Sequence, residues 1–220
     1  KSSIKTISIS RLVGSQAGEI AQKVAQSLGY DLVDKSVLQD TLQQYGMTRF
    51  GELYTSPPNL WDIANSKNLE IVSMLNETMQ ALAQRGRTVI LARGGYVALN
   101  KYADVLHVRL HAPFDVRVER VQAREGIADR AKVEAMVRAD DKARIKFVER
   151  FYGTKWHDES EFDLIMNTDI IASKSAESWI VDALRMLEAK EDRPSAKLAR
   201  HSKVDPLLMS AIEEAIKRRA

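Results

Sequence analysis

The chain has 220 residues, of which 45% are hydrophobic and 29% are charged, and its formal net charge is +3 at pH 7. This length and composition are typical of one globular domain with an appendage, and the absence of cysteine excludes disulfides, thiolate metal sites and a cysteine nucleophile. The small basic excess and the lack of an apolar run of about 20 residues argue against nucleic-acid and membrane partners, so we expect a cytoplasmic protein with no metal site of its own.

A phosphate-binding loop is the first feature along the chain. Residues 4–10 alternate with β-branched side chains and predict a strand, and an apolar pattern that ends at Gly29 predicts a helix. Between them lies a glycine-bearing loop, and such a loop can bind phosphate because backbone N–H groups and the positive end of the helix face an anion. The candidate phosphate-binding and ATP-binding residues are Arg11, Gly14, Ser15, Gln16, Ala17 and Gly18.

The rest of the chain alternates strands with helices. In order, the patterns predict a strand at 30–34, a helix from about Lys35, a loop at 55–59, a helix over 69–82, strands at 88–92 and 105–110, helices over 113–125 and 132–151, a strand at 162–167 and a helix over 176–188. Strands separated by helices of about ten residues or more imply a mostly parallel, five-stranded sheet with helices on both faces. The predicted class is therefore α/β.

Arginines occupy the positions where such a sheet binds ligands, outside the carboxyl ends of its strands. Arg93 follows the strand at 88–92 and could hold a phosphate through two parallel hydrogen bonds. On the helix over 113–125, Arg120 and Arg124 lie one above the other at i,i+4 and could contact a polyphosphate. The alternative is an ordinary charged surface in which nearby carboxylates pair with these arginines.

The last residues form a separate unit in the sequence pattern. Residues 1–189 are predicted to be one domain, residues 191–195 a linker, and residues 206–219 an amphipathic helix. This helix resembles the opening helix of a BON domain, so it could begin a further fused domain. It could equally pack on its own domain or on a second copy in a homodimer.

Six segments in this order resemble the cytidylate kinase-like family, relatives of the nucleoside monophosphate kinases. They are Ser8-Ile9-Ser10-Arg11 with Gly14-Ser15, Tyr30-Asp31-Leu32-Val33-Asp34-Lys35, Ala92-Arg93-Gly94, His111-Ala112-Pro113 with Arg117, Arg120 and Arg124, Asp141-Lys142-Ala143-Arg144 with Tyr152-Gly153, and Phe162-Asp163-Leu164-Ile165-Met166-Asn167-Thr168. The resemblance implies a three-layer P-loop NTPase fold with a helical lid, nucleotide ligands, and ATP with Mg²⁺ as cofactors.

The resemblance also implies residue roles. Arg93 would hold the acceptor monophosphate, and Asp34 would lie near the acceptor nucleoside. Three arginines of the lid, Arg120, Arg124 and Arg144, would close over the donor phosphates, and Asp141 would orient Arg144. Phosphoryl transfer depends mostly on positioning and electrostatic stabilisation, which arginines supply.

The phosphate loop departs from the usual pattern. A Walker A loop ends in Gly-Lys followed by Ser or Thr, and this sequence has neither the lysine nor the hydroxyl. Gln16 and Ala17 stand where the family usually has glycines, Gly18 stands where it usually has a basic residue, and Arg11 is the nearest replacement cation that matches the family. Two functions therefore remain open: a kinase that phosphorylates CMP, dCMP or a similar pyrimidine monophosphate, and a non-catalytic nucleotide-binding regulatory module.

Overall fold

The structure, a computed structural model, describes residues 5–156, 158–189 and 196–219, so the predicted linker at 191–195 lies outside the described residues. The strands are β1 (Thr6–Arg11), β2 (Asp31–Val33), β3 (Thr88–Ile90), β4 (Val105–His111) and β5 (Leu164–Asn167). They form one sheet in the order β2-β3-β1-β4-β5, and every pairing is parallel. Thr6 of β1 aligns with Thr88 on one side and Val105 on the other. The carboxyl ends of all strands therefore meet at one edge.

Helices cover both faces of this sheet. They are α1 (Ala17–Leu28), α2 (Lys35–Gln44), α3 (Phe50–Thr55), α4 (Leu60–Ala64), α5 (Ser66–Arg85), α6 (Gly95–Leu99), α7 (Phe114–Glu125), α8 (Arg130–Tyr152), α9 (Ser173–Ala189) and α10 (Pro206–Lys217). On one face, Ile7 and Ile9 of β1 pack against α1 and α9. On the other face, α2, α3 and α5 share a core with part of α8 and α10.

Two short helices, α3 and α4, lie between α2 and α5 where no helix was predicted. Residue 55, predicted as loop, ends α3, because Phe50, Leu53 and Tyr54 bury one face of that helix. Helix α4 begins with a capping box: the Asn59 side chain accepts from the backbone N–H of Asp62, and the Asp62 side chain accepts from the backbone N–H of Asn59. Runs this short carry too few apolar positions for a helical period to show in the sequence.

The tail helix α10 packs on α2 and α5 of the same chain. Ile212 and Ala215 are fully buried in the core that those helices form. Arg219, which follows α10, donates to the Asp40 carboxylate of α2 through its Nε and Nη2 atoms at 2.9 and 2.8 Å. Within the described residues, no helix is both long and apolar enough to cross a membrane.

Candidate functional site

The phosphate loop contains two residues with positive φ, and one of them is not glycine. Gly14 has φ 78°, and Gln16, which precedes the first residue of α1, has φ 58° although it is not glycine. A Cβ at Gly14 would lie 2.6 Å from the Arg117 carbonyl oxygen, so α7 requires glycine there. At Gly18 a Cβ would meet no atom within 4 Å. The loop is therefore fixed against α7 at one end and open at the other.

A cleft of about 420 Å³ lies over this loop, and Arg120 and Arg124 of α7 line it together with the loop residues. Arg120 donates to the Gly14 carbonyl at 3.3 Å and to the Thr168 carbonyl and hydroxyl at 2.8 and 3.1 Å. It thereby connects the loop to the end of β5. Arg124 is exposed and pairs with Glu125 at 2.8 Å, so it lies at the rim of the cleft.

The loop supplies neither a cation nor a free hydroxyl. Ala17 and Gly18 begin α1, and the next residue, Glu19, pairs with Lys23 at 2.6 Å. The hydroxyl of Ser15 is buried and donates to the Leu12 carbonyl at 2.8 Å. Nor does the described part of the chain contain a group of three or more acidic or histidine side chains placed for a metal. These residues do not fit a magnesium ion held by the loop.

Beside the loop, Arg93 and Arg144 pair with the carboxylate of Asp140, and Arg11 is near enough for its charge to act on the same group. Arg11 ends β1, Arg93 follows β3, and Arg144 lies one turn after Asp140 on α8. Asp140 accepts from Arg144 Nε at 2.5 Å and lies 3.7 Å from Arg93 Nη2. We call Arg11, Arg93, Arg144 and Asp140 the arginine cluster. Its three guanidiniums and one carboxylate leave an excess of two positive charges where the strands end.

Burial and neighbouring charges shift the pKa values of the residues in the cluster. Burial, followed by the charge of Arg144, lowers the pKa of Arg11 and the pKa of Arg93 to about 10. Burial by itself would raise the pKa of Asp140, but the hydrogen bond and charge of Arg144, helped by the charges of Arg93 and Arg11, lower it. Asp140 is therefore ionised at neutral pH, and its single negative charge does not balance the three positive charges of the arginines.

Arg93 is the most enclosed member of the cluster, with 4% of its surface exposed. Its guanidinium lies over the Tyr54 ring at 4.9 Å, and its backbone N–H donates to the Tyr54 hydroxyl at 2.6 Å. Its Nε and Nη1 atoms are buried and have no hydrogen-bond partner among the described residues. A buried cation with unused donors is costly, and an anion is a chemical group that could both accept these hydrogen bonds and balance the charge.

The carboxylate that pairs with Arg144 is Asp140, whereas Asp141, which the resemblance implies orients Arg144, pairs with Arg117. Asp140, at i,i+4, holds Arg144, because residues four apart lie above one another on a helix. Asp141 is turned towards α7 and accepts from both terminal nitrogens of Arg117 at 3.0 and 2.8 Å. The i,i+4 rule applied to the adjacent aspartates would have found the correct partner.

Asp34 lies away from the loop cleft. Its carboxylate caps α2 and accepts from the backbone N–H groups of Ser36 and Val37 at 2.8 and 3.3 Å. It lines a second cleft, of about 430 Å³, which also includes Arg219 and shares no lining residue with the loop cleft. Its predicted role near the acceptor nucleoside stays a prediction.

Sequence reasoning missed another buried arginine. Arg109 of β4 lies over the rings of Tyr96, Trp156 and Phe162 at 5.8, 4.8 and 4.2 Å, and donates to the Trp156 carbonyl at 2.5 Å. With Arg11 it lines a further cleft of about 220 Å³. An arginine in the middle of an apolar strand was the available signal, since charged residues are rarely buried there without a partner.

Comparison with known proteins decides the family. A model described as the cytidylate kinase-like family matches residues 6–170. This chain belongs to the cytidylate kinase-like family. The cytidylate kinase of Ignicoccus hospitalis is 30% identical over 166 residues, which are 74% of this chain and 88% of that relative. The cytidylate kinase of Pyrococcus horikoshii is 26% identical over 198 residues, 87% of this chain and 94% of the relative.

Solved structures agree on the fold. An uncharacterized protein from Eubacterium ventriosum has a TM-score of 0.61 at 18% identity, over 82% of this chain and 98% of that chain. Shikimate kinase from Bacteroides thetaiotaomicron has a TM-score of 0.52 at 14% identity, over 83% of this chain and 99% of that chain. Identities this low show the fold alone. They confirm the predicted α/β P-loop NTPase fold of this family member, with its five-stranded parallel sheet.

Proposed function

We propose that this chain is a nucleoside monophosphate kinase that transfers the γ-phosphate of ATP to CMP, dCMP or a similar pyrimidine monophosphate. The observation that carries the proposal is the arginine cluster, in which Arg93 and Arg144 pair with Asp140 and Arg11 lies within reach of their charges. A phosphate monoester carries a charge of about −1.5 to −2 at pH 7, which matches the excess charge of the cluster. The relatives named cytidylate kinase favour a pyrimidine acceptor.

In this proposal the acceptor and donor phosphates bind on either side of Arg11. Arg93 binds the acceptor phosphate, because its unused donors are enclosed in the cluster. The donor phosphates lie in the loop cleft, which Arg11 also lines, beside Arg120 and Arg124. Arg11 thus takes the place of the missing lysine, and Arg144 neutralises charge on the transferring group. Magnesium enters as the counter-ion of ATP, and the loop adds no ligand to it.

A second candidate function is non-catalytic nucleotide binding with a regulatory role. The observation that favours it is the start of α1, where Ala17 and Gly18 carry neither the cation nor the hydroxyl of a working phosphate loop. The two proposals differ in one respect: only a kinase consumes ATP when both ligands are present.

Calorimetric titration with CMP and with ATP-Mg, followed by an assay of ADP release with both ligands, tests the proposal. Arg93→Met removes the buried guanidinium, and Arg130→Met is the control, because Arg130 lies at the surface and pairs with Asp115 at 2.9 Å. We expect Arg93→Met to weaken CMP binding about 100-fold or more, and Arg130→Met to leave it unchanged.

Each result selects one function. ADP release that requires both ligands and is lost in Arg93→Met supports the kinase. Nucleotide binding without ADP release supports the regulatory module. Equal CMP binding by the wild-type protein and Arg93→Met overturns the assignment of the arginine cluster as the acceptor phosphate site.

A further inference from the structure

Arg117 lies where the phosphate loop, α7 and the lid helix α8 meet. It is 4% exposed, and its Nε atom donates to the Ala112 carbonyl at 3.1 Å. Its Nη1 atom donates to the Val13 carbonyl of the loop at 3.1 Å and to Asp141 of α8 at 3.0 Å, and Nη2 donates to Asp141 at 2.8 Å. One side chain therefore joins three segments.

The backbone of Arg117 also contacts the loop. Its carbonyl oxygen lies 2.6 Å from the position that a Cβ at Gly14 would occupy, so the loop packs directly on this turn of α7. A bidentate arginine–carboxylate pair fixes the relative orientation of its two partners as well as their distance. A shift of the loop therefore has to move Arg117, and with it Asp141.

Asp141 stands next to Asp140, the carboxylate at the centre of the arginine cluster. Its neighbour Asp140 holds Arg144 at 2.5 Å and lies 3.7 Å from Arg93. The two aspartates point in different directions from one turn of α8, one to α7 and the other to the cluster. Fixing Asp141 consequently fixes where Asp140 and Arg144 lie over the acceptor site.

We propose that Arg117 and Asp141 are a positioning pair that couples the phosphate loop to the lid arginine, Arg144, without touching either nucleotide. This proposal rests on the proposed function, in which Arg144 neutralises charge on the transferring phosphoryl group. A buried ion pair is a costly way to hold two helices together, and apolar side chains would serve stability as well or better. What the pair adds is a defined orientation of the lid relative to the loop.

Asp141→Asn tests the proposal, since it keeps the size of the side chain and removes the charge. Asp115→Asn is the matched control, because Asp115 and Arg130 join the same two helices at the surface, at 2.9 Å. Asp141→Glu, which restores a carboxylate, is the rescue variant. Each variant is compared with the wild-type chain by amide hydrogen exchange without ligand and by steady-state kinetics with CMP and ATP-Mg.

In the ligand-free exchange experiment we expect Asp141→Asn to accelerate exchange in two separate segments, the loop at residues 12–18 and the part of α8 around Arg144. Asp141→Glu should restore part of the protection, and Asp115→Asn should leave both segments as in the wild type. Acceleration in α8 alone, or equal effects of the two Asn variants, would show that the pair only packs two helices and would overturn the proposal.

In the kinetic experiment we expect Asp141→Asn to lower kcat about 100-fold, because a displacement of about 1 Å at the reacting groups has an effect of that size. The KM for CMP should change much less, since Arg11 and Arg93 project from the sheet and not from the lid. A change confined to KM would overturn the positioning role. If the wild-type chain neither binds nor turns over nucleotides, the proposed function fails, and the exchange comparison decides the coupling without it.

Discussion

Arg93→Met should make the ligand-free protein more stable while it removes phosphate binding. Burial and the charge of Arg144 lower the pKa of Arg93 from 12.5 to about 10. At about 1.4 kcal/mol per pKa unit, keeping this guanidinium charged costs the folded state about 3 kcal/mol. Below pH 10 the guanidinium is charged in both the folded and the unfolded state, so the cost is present in full. It disappears as the pH rises from the folded-state pKa of about 10 to the unfolded-state value of 12.5.

The substitution also removes favourable contacts, chiefly the cation–π contact with Tyr54 at 4.9 Å, worth about 2 kcal/mol when desolvated. Methionine fills much of the same volume and adapts to irregular cavities. We therefore expect the free energy of unfolding of Arg93→Met to rise by about 1 kcal/mol. At about 2–4 °C per kcal/mol for a chain of this size, Tm should rise by a few degrees.

Arg117→Met is the matched control, because Arg93 and Arg117 are each 4% exposed. Arg117 is bonded to Asp141 at 2.8 and 3.0 Å, so its removal leaves a carboxylate whose side chain is only 16% exposed without its partner, and it should cost about 3 kcal/mol. Urea unfolding with and without CMP measures both variants. If Arg93→Met destabilises the protein as much as Arg117→Met, the charge of Arg93 is satisfied in the free protein, and the reasoning behind the anion site is wrong.

Three further outcomes follow from the same geometry. First, CMP affinity measured by calorimetry should fall below about pH 6, where the phosphate gains a proton, and again above pH 10, where the pKa of Arg93 lets the free guanidinium lose its charge. Because the bound phosphate dianion favours the charged guanidinium, the loss of CMP affinity at alkaline pH should be centred above that pKa. A CMP affinity that stays constant from pH 9 to pH 12 would contradict a role for Arg93. Second, Gly14→Ala should lower the free energy of unfolding by about 2 kcal/mol or more, because of its φ of 78° and the contact with Arg117, whereas Gly18→Ala, at a helical position with open space, should raise it by about 0.4–1 kcal/mol. Third, Ile212→Ala should cost about 2–5 kcal/mol in urea unfolding, as expected for a fully buried residue of α10, and a neutral result would show that the tail is not part of the core.

The sequence by itself determined the fold class and the family. Alternation of β-branched residues marked β1, and helices between the strands required parallel pairing, which the sheet shows. Arg93 directly follows the predicted strand at 88–92. Its place at the carboxyl edge of the sheet therefore follows from the strand boundary and needs no knowledge of tertiary contacts. The absent lysine was likewise visible in the order of Gln16, Ala17 and Gly18.

Only the tertiary structure decided which charges meet. The i,i+4 spacing predicts Asp140 as the partner of Arg144, but the partner of Asp141 cannot be assigned from the sequence, because it is Arg117, 24 positions away on another helix. The environment of Arg109, among three aromatic rings from distant segments, is equally invisible along the chain. Periodicity reports which face of a helix is buried, whereas long-range pairing depends on how the helices cross, and that is fixed by the packed core.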